Sequence, residues 1–316
     1  MDSSTLPSEK RLPNLAVRLI LTAILTWVGG ALYTIYINPE VTFFRRVHQS
    51  KVAWEKTLPD SKRILFVAGS SCMTSLDPVA LRDRHGINAL NLGLGAGMGP
   101  RLLARYAIDR ARQGDSLLLS FEQGLLIGPM DWEPLGLQFA MATDDPTRLL
   151  QFEGPPVSQI LLALRPGGYH LFTLLGKALL RQPWYRYSSA EIQIGGWHQV
   201  SVRRLVSSPG PGPTALSSEA RIWLKEVHRE CEKKGIQVAY TPPFLYGADT
   251  EATSIREANR RFLVDVESIL PVLRDAELGV NTNLTDYADT VAHPNGAGAQ
   301  RNTDRIAALV KAWEIK

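Results

Sequence analysis

The sequence predicts an α/β fold: a three-layer, flavodoxin-like parallel sheet with helices on both faces, preceded by one N-terminal transmembrane helix. Two observations predict it. From about residue 63 onward, short apolar runs alternate with amphipathic segments, which is typical of buried parallel strands joined by helical crossovers. Before that point, a long apolar segment carries no charge, as a helix that crosses a bilayer requires.

The apolar N-terminal segment divides the chain. No charged residue occurs between Leu19 and Ile37, and this length suffices to cross the hydrocarbon core as one helix. No clean small-x-small cleavage site follows it, which favours an uncleaved anchor over a signal peptide. Basic residues flank both ends, so charge does not set the orientation. We therefore expect a tail at 1–13, a transmembrane anchor at 14–38, an amphipathic connector at 39–62 and the main domain at 63–316.

Four apolar runs predict the strands of the main domain, with helices between them. The first helix has Asp77 as a plausible N-cap and Pro78 in its first turn, and it ends at Gly86, a pattern that favours helix boundaries at these positions. The strands are ILFVA, INALNL, DSLLLSF and IQVAYTPPF, and the helices are DPVALRDRHG, RLLARYAIDRARQG and SSEARIWLKEVHRECEKKG. Ligands of such sheets bind at the carboxyl ends of the strands.

An insertion at about 124–213 interrupts this alternation. It contains the helical pieces VSQILLALRPGG and HLFTLLGKALL, the aromatic-rich QPWYRYSS and the turn-rich SSPGPGPT. Its place between the third and fourth strands puts it near the carboxyl edge of the sheet. We expect it either to cover a binding site there or simply to pack against the body of the domain.

Composition excludes several classes of function. The net charge of +4 comes from 35 basic and 31 acidic residues scattered along the chain, without the run of Lys and Arg that marks a nucleic-acid-binding arm. The two cysteines, Cys72 and Cys231, are too few for a disulfide scaffold and lack metal-ligand spacing. Nothing in the sequence indicates the lowered thiol pKa that would make Cys72 a nucleophile. We expect both to be buried.

The chemistry-bearing stretch is GSSCMTSLDP, directly after the first strand. A serine there would lie at the carboxyl edge of the sheet, where backbone N–H groups can stabilise an oxyanion. Serine needs a base to act as a nucleophile, and a carboxylate orients that base. Of the six histidines, His293 lies in a loop before a final amphipathic helix, with Asp289 four residues earlier. The alternative is that the serines only satisfy a turn and cap a helix.

Three stretches together resemble the SGNH/GDSL hydrolase superfamily. They are GSSCMTSLDP near the start of the domain, NLGLGAG about twenty residues later and DTVAHPNGAGAQRNTDRIA near the end. Their order and spacing agree with that superfamily from about Arg63 to Val310, apart from the insertion. Two departures are evident: SFEQGLL stands where the family usually has Gly-x-Asn-Asp, and the acid precedes the histidine by four residues rather than three.

The resemblance implies a Ser-His-Asp triad and acyl-transfer chemistry without a metal or organic cofactor. Ser71 matches the nucleophile, His293 the general base and Asp289 the orienting acid. The oxyanion hole would be formed by the Ser71 N–H and a backbone N–H at Gly95 or Gly97. Gln123 would take the place of the missing asparagine.

With these departures, the sequence resembles a divergent, membrane-anchored branch of the superfamily. That branch includes lipoteichoic-acid D-alanylation and alginate O-acetylation proteins. This resemblance implies an SGNH domain outside the cytoplasmic membrane, a membrane-bound O-acyltransferase partner and an envelope or exported polysaccharide as acceptor. A sugar-stacking surface would then use Trp184, Tyr185, Tyr187 and Trp197, although such clusters more often belong to a core. Two alternatives stay open: a catalytically inactive scaffold that binds polysaccharide or the acyltransferase, and a lipid esterase facing the cytoplasm.

Overall fold

The structure is a computed structural model that describes residues 11–143, 155–165, 168–201, 204 and 206–314. Most of the predicted N-terminal tail and parts of the predicted insertion lie outside these ranges. The mixed α/β class predicted from the alternation of strands and helices is confirmed, with a four-stranded parallel sheet at the centre of the domain.

The central sheet contains β1 (Ile64–Val67), β2 (Ala89–Asn91), β3 (Ser116–Leu119) and β4 (Gln237–Tyr240), in the order β2-β1-β3-β4. All three pairings are parallel; Leu65, for example, lies opposite Leu90 on one side and Leu117 on the other. The direction of strand order reverses between β1 and β3, and such a reversal opens a crevice at the carboxyl ends of the two strands. The Gly-Ser-Ser stretch follows β1 at this position.

The helices and the remaining short strands surround this sheet. The helices are α1 (Arg11–Tyr36), α2 (Pro39–Glu55), α3 (Ser70–Ser75), α4 (Pro78–His85), α5 (Gly99–Ile108), α6 (Pro134–Thr143), α7 (Val157–Ala163), α8 (Gly168–Leu179), α9 (Ser218–Lys233), α10 (Asp249–Glu267) and α11 (Gly296–Glu314). The short strands are β5 (Leu245–Tyr246), β6 (Val280–Asn281), β7 (Tyr287–Thr290) and β8 (His293–Pro294). β5 pairs with β6, and β7 forms an antiparallel hairpin with β8.

Both faces of the sheet are buried, because successive strand side chains point in opposite directions. Leu65 and Val67 pack into a large cluster with residues of α2, α5 and α9. Phe66 packs on the other face with residues of α4 and α11, including Leu81 and Val310. This two-sided burial explains why the strands are continuously apolar in the sequence.

The segment 39–62, expected as a connector, is largely a core helix. Phe43, Phe44, Val47 and Trp54 of α2 are buried in the cluster that covers one face of the sheet. The Trp54 Nε1–H donates to the carbonyl of Ala89 in β2. The amphipathic pattern of α2 therefore marks a helix that belongs to the domain.

The buried ion pair between Arg63 and Asp115 fixes the amino edge of the sheet. The Arg63 side chain is 1% exposed, and its Nη2 lies 2.6 Å from Asp115 Oδ2. Glu55 of α2 accepts a hydrogen bond from Arg63 Nη1 at 2.9 Å. Asp115 Oδ2 also accepts from the backbone N–H of Arg112 at 2.8 Å. The helix α5 before it ends at Ile108, short of the predicted Gly114.

The helix α1 is long and apolar enough to span a membrane. Its candidate span, Leu15–Tyr36, contains 22 residues, which corresponds to about 33 Å of helix. Most of its large apolar side chains are exposed, Leu25 by 69%. Near its carboxyl end, Ala31 and Ile35 are buried against Leu164.

Candidate active site

The turn after β1 places Ser71 in the crevice. Gly69 precedes α3, and Ser71 in the first turn of this helix is 2% exposed. A side chain at Gly69 would place its Cβ 2.7 Å from Glu122 Oε2 and 3.0 Å from the Cα of Ala96. Glycine is therefore required here because three chain segments converge on the turn.

The hairpin of β7 and β8 brings His293 and Asp289 together. Thr290 pairs with His293 across the hairpin, and the two residues between them form the turn. The resulting geometry puts His293 Nδ1 2.9 Å from Asp289 Oδ1, and both side chains are buried. In this hairpin, a spacing of four residues between Asp289 and His293 thus brings the two side chains into contact. Because a carboxylate only accepts hydrogen bonds, Nδ1–H donates to Asp289 and Nε2 is left as a proton acceptor.

Two residues of the insertion complete the surroundings of Asp289. Arg186 Nη2 lies 2.6 Å from Asp289 Oδ2, and the Tyr187 hydroxyl donates to the same oxygen at 3.0 Å. Burial alone would raise the pKa of Asp289, but hydrogen bonding and charge from His293, Tyr187 and Arg186 lower it below its ordinary value. Asp289 therefore stays ionised and can orient the imidazole.

The serine and the histidine lie on packed elements but share no hydrogen bond. α3 packs against β8, and the Thr74 hydroxyl, one turn after Ser71, lies 3.4 Å from the carbonyl of Ala292. The Ser71 Oγ is buried and has no hydrogen-bond partner among the described residues. The structure therefore contains the histidine–aspartate pair, while the bond that would activate Ser71 is not made.

Glu122 accepts a hydrogen bond from the Ser71 N–H, the backbone donor that was predicted to stabilise an oxyanion. The Ser71 N–H donates to Glu122 Oε1 at 3.1 Å. The other carboxylate oxygen, Oε2, is buried without a hydrogen-bond partner in the described chain. An oxyanion that forms at Ser71 must compete with this negative charge for the same N–H. The carboxylate has to move, or lose its charge, before this donor can act.

Of the other predicted oxyanion donors, the Gln123 amide is turned toward α10, where its Nε2 donates to Asn259 Oδ1 at 2.8 Å. Gly95 and Gly97 flank Ala96, which lies beside the Gly69 turn. A side chain at Gly95 would meet the ring of Phe44, and one at Gly97 would meet Leu135. In this structure the neighbour of Gln123, Glu122, is the residue that contacts the Ser71 N–H, and the replacement of the family's asparagine by Gln123 stays a prediction.

The four predicted sugar-stacking aromatics do not form one surface. Trp197 is buried at 9% exposure and Trp184 is 51% exposed. Tyr185 and Tyr187 pack against Phe43. Trp197 is enclosed and packing largely covers both tyrosines, and a role of these aromatics in sugar binding stays a prediction. Tyr187 instead contacts His293, with its hydroxyl 3.2 Å from Nδ1.

A small cavity lies behind Ser71, at the carboxyl ends of the sheet strands. It measures about 10 Å³, roughly the space of one water molecule. The hydroxyl of Thr241, which follows β4, also has no hydrogen-bond partner there. The lining residues include Ser71, Ser75, Ser120, Thr241, Asn302 and Arg305. An acyl group does not fit in this space, so it requires a more open arrangement.

A second histidine–carboxylate pair lies beside the first. His198 is fully buried, and its Nε2 lies 3.1 Å from Glu191 Oε2. Burial lowers the pKa of His198, and its Nδ1 has no partner within the described chain. The Tyr187 ring separates the two pairs, with centroid distances of 5.1 Å to His198 and 6.0 Å to His293.

Lys51 of α2 is buried beneath the serine turn. Its Nζ donates to the carbonyl of Asn91 at 2.6 Å, and the Asn91 amide donates to the carbonyl of Cys72 at 2.9 Å. Burial lowers the pKa of Lys51 to about 7 and raises the pKa of Cys72 to about 12. Both predicted buried cysteines are buried, and the protonated thiol of Cys72 is unsuited to nucleophilic attack.

The residues that the sequence prediction missed are Glu122, Arg186, His198, Glu191 and Lys51. Glu122 had a local signal, because it follows β3 by three residues, within the same SFEQGLL stretch from which Gln123 was chosen. Arg186 adjoins the predicted aromatic cluster but had no spacing relation to Asp289. His198 and Lys51 had no signal beyond their residue types.

The described part of the chain contains no group of three or more His, Cys, Asp or Glu residues that could hold a metal ion. No protein-family model, curated protein or solved structure matches the chain. The geometry of the crevice and the motifs in the sequence are therefore the basis for a functional proposal.

Proposed function

We propose that this protein is a membrane-anchored SGNH-type serine esterase or O-acyltransferase that acts on an envelope or exported polysaccharide. Ser71 is its nucleophile, His293 its base and Asp289 the acid that orients the base. The observation that carries the proposal is the buried Asp289–His293 pair on the β7–β8 hairpin, whose strand β8 packs against the helix bearing Ser71. The sheet order, with its crevice at β1 and β3, agrees with an SGNH-type domain.

The proposed reaction is a double displacement. Ser71 Oγ attacks the carbonyl carbon of an ester while its proton passes to His293 Nε2. The alkoxide leaves with that proton, and the acyl group remains on Ser71. A second hydroxyl, from water or from the polysaccharide, then gives its proton to His293 and takes the acyl group. As the bond from the acyl carbon to Ser71 Oγ breaks, His293 returns that proton to Ser71 Oγ. Hydrolysis and transfer differ only in this acceptor.

The activation step requires two local movements. Ser71 Oγ must come within hydrogen-bond distance of His293 Nε2, and Glu122 must release the Ser71 N–H. Catalytic hydrogen bonds are often long in free enzymes and tighten when substrate binds. We therefore assign the structure to a resting state in which Glu122 holds the oxyanion donor.

The proposed membrane anchor is α1, which is long and apolar enough to span a membrane. By resemblance, we propose that the domain lies on the extracytoplasmic side of the cytoplasmic membrane and takes its acyl group from a membrane-bound O-acyltransferase. The alternative orientation corresponds to a cytoplasmic lipid esterase. Protection of the domain from protease in intact spheroplasts would favour that alternative.

A second candidate function is an inactive SGNH scaffold that binds polysaccharide or the acyltransferase. The Glu122 carboxylate on the Ser71 N–H favours it, because an anion at this position opposes oxyanion formation. The scaffold needs no reactive serine, so the two functions differ in one measurable property, the reactivity of Ser71.

A fluorophosphonate probe separates the two functions. The full chain in detergent should label, and Ser71→Ala should not. Ser70→Ala is the matched control, because Ser70 is the neighbouring hydroxyl in the same turn, and it should still label. If wild type and both variants fail to label while Ser71→Ala supports polysaccharide modification in cells, the enzyme proposal is wrong and the scaffold is correct.

A further inference from the structure

The surface formed by α7 and α8 is unusually apolar for an exposed surface. Outside α1, the described chain has fourteen exposed large apolar side chains, and eight of them lie between Val157 and Trp184. We call these eight residues the α7–α8 face: Val157, Leu161, Leu162, Phe172, Leu175, Leu179, Leu180 and Trp184. Apolar patches of this extent on a protein surface indicate contact with a partner or a membrane.

The helical spacing arranges these side chains on one side of each helix. Phe172, Leu175 and Leu179 are separated by three and four residues in α8, so they share a face, and their exposures are 77%, 57% and 75%. Val157 and Leu161 of α7 have the same relation. No charged residue occurs in α6 or α7, and α8 contains a single lysine, Lys177. The other exposed helices, α9 and α10, are rich in charge.

The position of α7 against α1 identifies what covers this face. Ile160 and Leu164 share one apolar cluster with Trp27, Ala31 and Ile35 of α1, and Met141 and Ala142 of α6 belong to the same cluster. These three α1 residues lie in the distal half of the candidate span and extend over about 12 Å of helix. One leaflet contributes about 15 Å of hydrocarbon. A helix that packs beside this part of α1 therefore lies at the depth of the distal leaflet.

We infer that the α7–α8 face is embedded in the bilayer leaflet that the distal half of α1 crosses, so that the domain lies on the membrane surface. This inference rests on the proposed anchoring by α1. Exposed apolar side chains beside a transmembrane helix face lipid tails, and basic residues at the ends of such helices meet the headgroups. Arg165 and Arg181 are exposed at the ends of α7 and α8, as this arrangement requires.

The embedded face leads directly to the proposed active site. Trp184 is held by Lys177, whose Nζ donates to its carbonyl at 3.2 Å. The next residue, Tyr185, has its hydroxyl 3.3 Å from Glu40 Oε1 at the start of α2. Arg186 and Tyr187 then contact Asp289. The site consequently lies close to the lipid surface, which suits an acyl donor presented by a membrane.

Depth-dependent quenching tests this inference. Leu175, Leu25 and Ile222 are each replaced by cysteine in a separate variant of the full chain. Each variant is labelled with an environment-sensitive fluorophore and reconstituted into phosphatidylcholine–phosphatidylglycerol vesicles. Cys72 and Cys231 are buried and stay unlabelled. Leu25→Cys reports on the anchor. Ile222→Cys on α9 is the matched control, because Ile222 is 59% exposed and lies outside the α7–α8 face.

Leu175→Cys should lose about half of its fluorescence with a shallow doxyl-labelled lipid and less with a deep one, as expected for an interfacial helix. Leu25→Cys should be quenched most by the deep lipid, and Ile222→Cys by neither. If Leu25→Cys is quenched but Leu175→Cys behaves like Ile222→Cys, the embedded face is wrong and the anchor stands. If Leu25→Cys is not quenched, the anchor itself is wrong and the inference falls with it. A Leu175→Cys thiol that is unquenched in vesicles but shielded from a charged maleimide in cells would show that a protein covers the face, which also overturns the proposal.

Discussion

The backbone N–H of Ser71 donates to the carboxylate of Glu122 over 3.1 Å. This contact links the carboxyl ends of β1 and β3, at the position where the strand order reverses. It also places a negative charge beside the proposed nucleophile. The resting structure therefore has the Glu122 carboxylate at the position where the proposed reaction would form an oxyanion.

Glu122→Gln should increase the rate of fluorophosphonate labelling at Ser71. The amide is nearly the same size as the carboxylate but has no charge, so it competes less well for the Ser71 N–H. A hydrogen bond to a charged group exceeds a neutral one by about 1 kcal/mol, which corresponds to roughly a fivefold change in rate.

The matched control for Glu122→Gln is Gln123→Glu, which adds a charge one residue away, where the side chain contacts α10. It should not increase labelling. If Glu122→Gln abolishes labelling in a chain that unfolds at the wild-type temperature, Glu122 takes part in the reaction instead of opposing it.

Asp289→Asn should slow labelling by about a hundredfold to ten-thousandfold, because the imidazole loses the acceptor that fixes its tautomer. The measurement is the labelling rate at neutral pH. Asp83→Asn is the control, since Asp83 is exposed and pairs with its neighbour Arg82. An Asp289→Asn variant that labels as fast as Asp83→Asn would exclude Asp289 from the triad.

Lys51 should make stability depend on pH. Its pKa falls from 10.5 to about 7 on burial, so between these values the unfolded chain binds more protons than the folded one. The free energy of unfolding therefore rises as the pH increases through this window, and the contribution is lost as the pH falls through about 7. In Lys51→Met this titration is absent.

The difference in unfolding temperature between wild type and Lys51→Met should consequently shift in favour of wild type from neutral to alkaline pH, measured by thermal unfolding in detergent. Lys56→Met, at the exposed end of α2, is the control and should show a constant difference from wild type. A constant difference for Lys51→Met would mean that Lys51 is charged in the folded protein.

Asp115→Ala should destabilise the domain by about 3–5 kcal/mol, because it leaves the buried Arg63 guanidinium without its main partner. The Arg112–Asp60 pair provides the control, since Asp60 is 93% exposed. Asp60→Ala should change the free energy of unfolding by less than about 1 kcal/mol. Equal effects in chemical unfolding would show that the Arg63 cluster contributes no more than a surface pair.

The apolar runs predicted the central sheet well because each parallel strand is buried on both faces, as Leu65 and Phe66 illustrate. The capping pattern of Asp77 and Gly86 was confirmed for the same kind of local reason: the Asp77 side chain accepts from two N–H groups of α4, and Gly86 takes the left-handed conformation. Such boundaries depend on neighbouring residues only.

The long-range contacts were beyond the sequence patterns. Lys51 reads as a solvent-exposed charge on an amphipathic helix, yet the fold buries it against the Asn91 carbonyl. The orientation of Gln123 depends on α10, which begins more than a hundred residues later. Arg186 reaches Asp289 only because the insertion folds back over the β7–β8 hairpin.

The contact of Arg186 and Tyr187 with Asp289 affects how this protein can be shortened or recombined. In the sequence, the segment between β3 and α9 looks like a removable module attached to the α/β domain. Chemically it is not removable, since it supplies two of the groups that hold the acid ionised. A chimera that exchanges this segment would therefore change how strongly His293 acts as a base, even if Ser71, His293 and Asp289 are all retained.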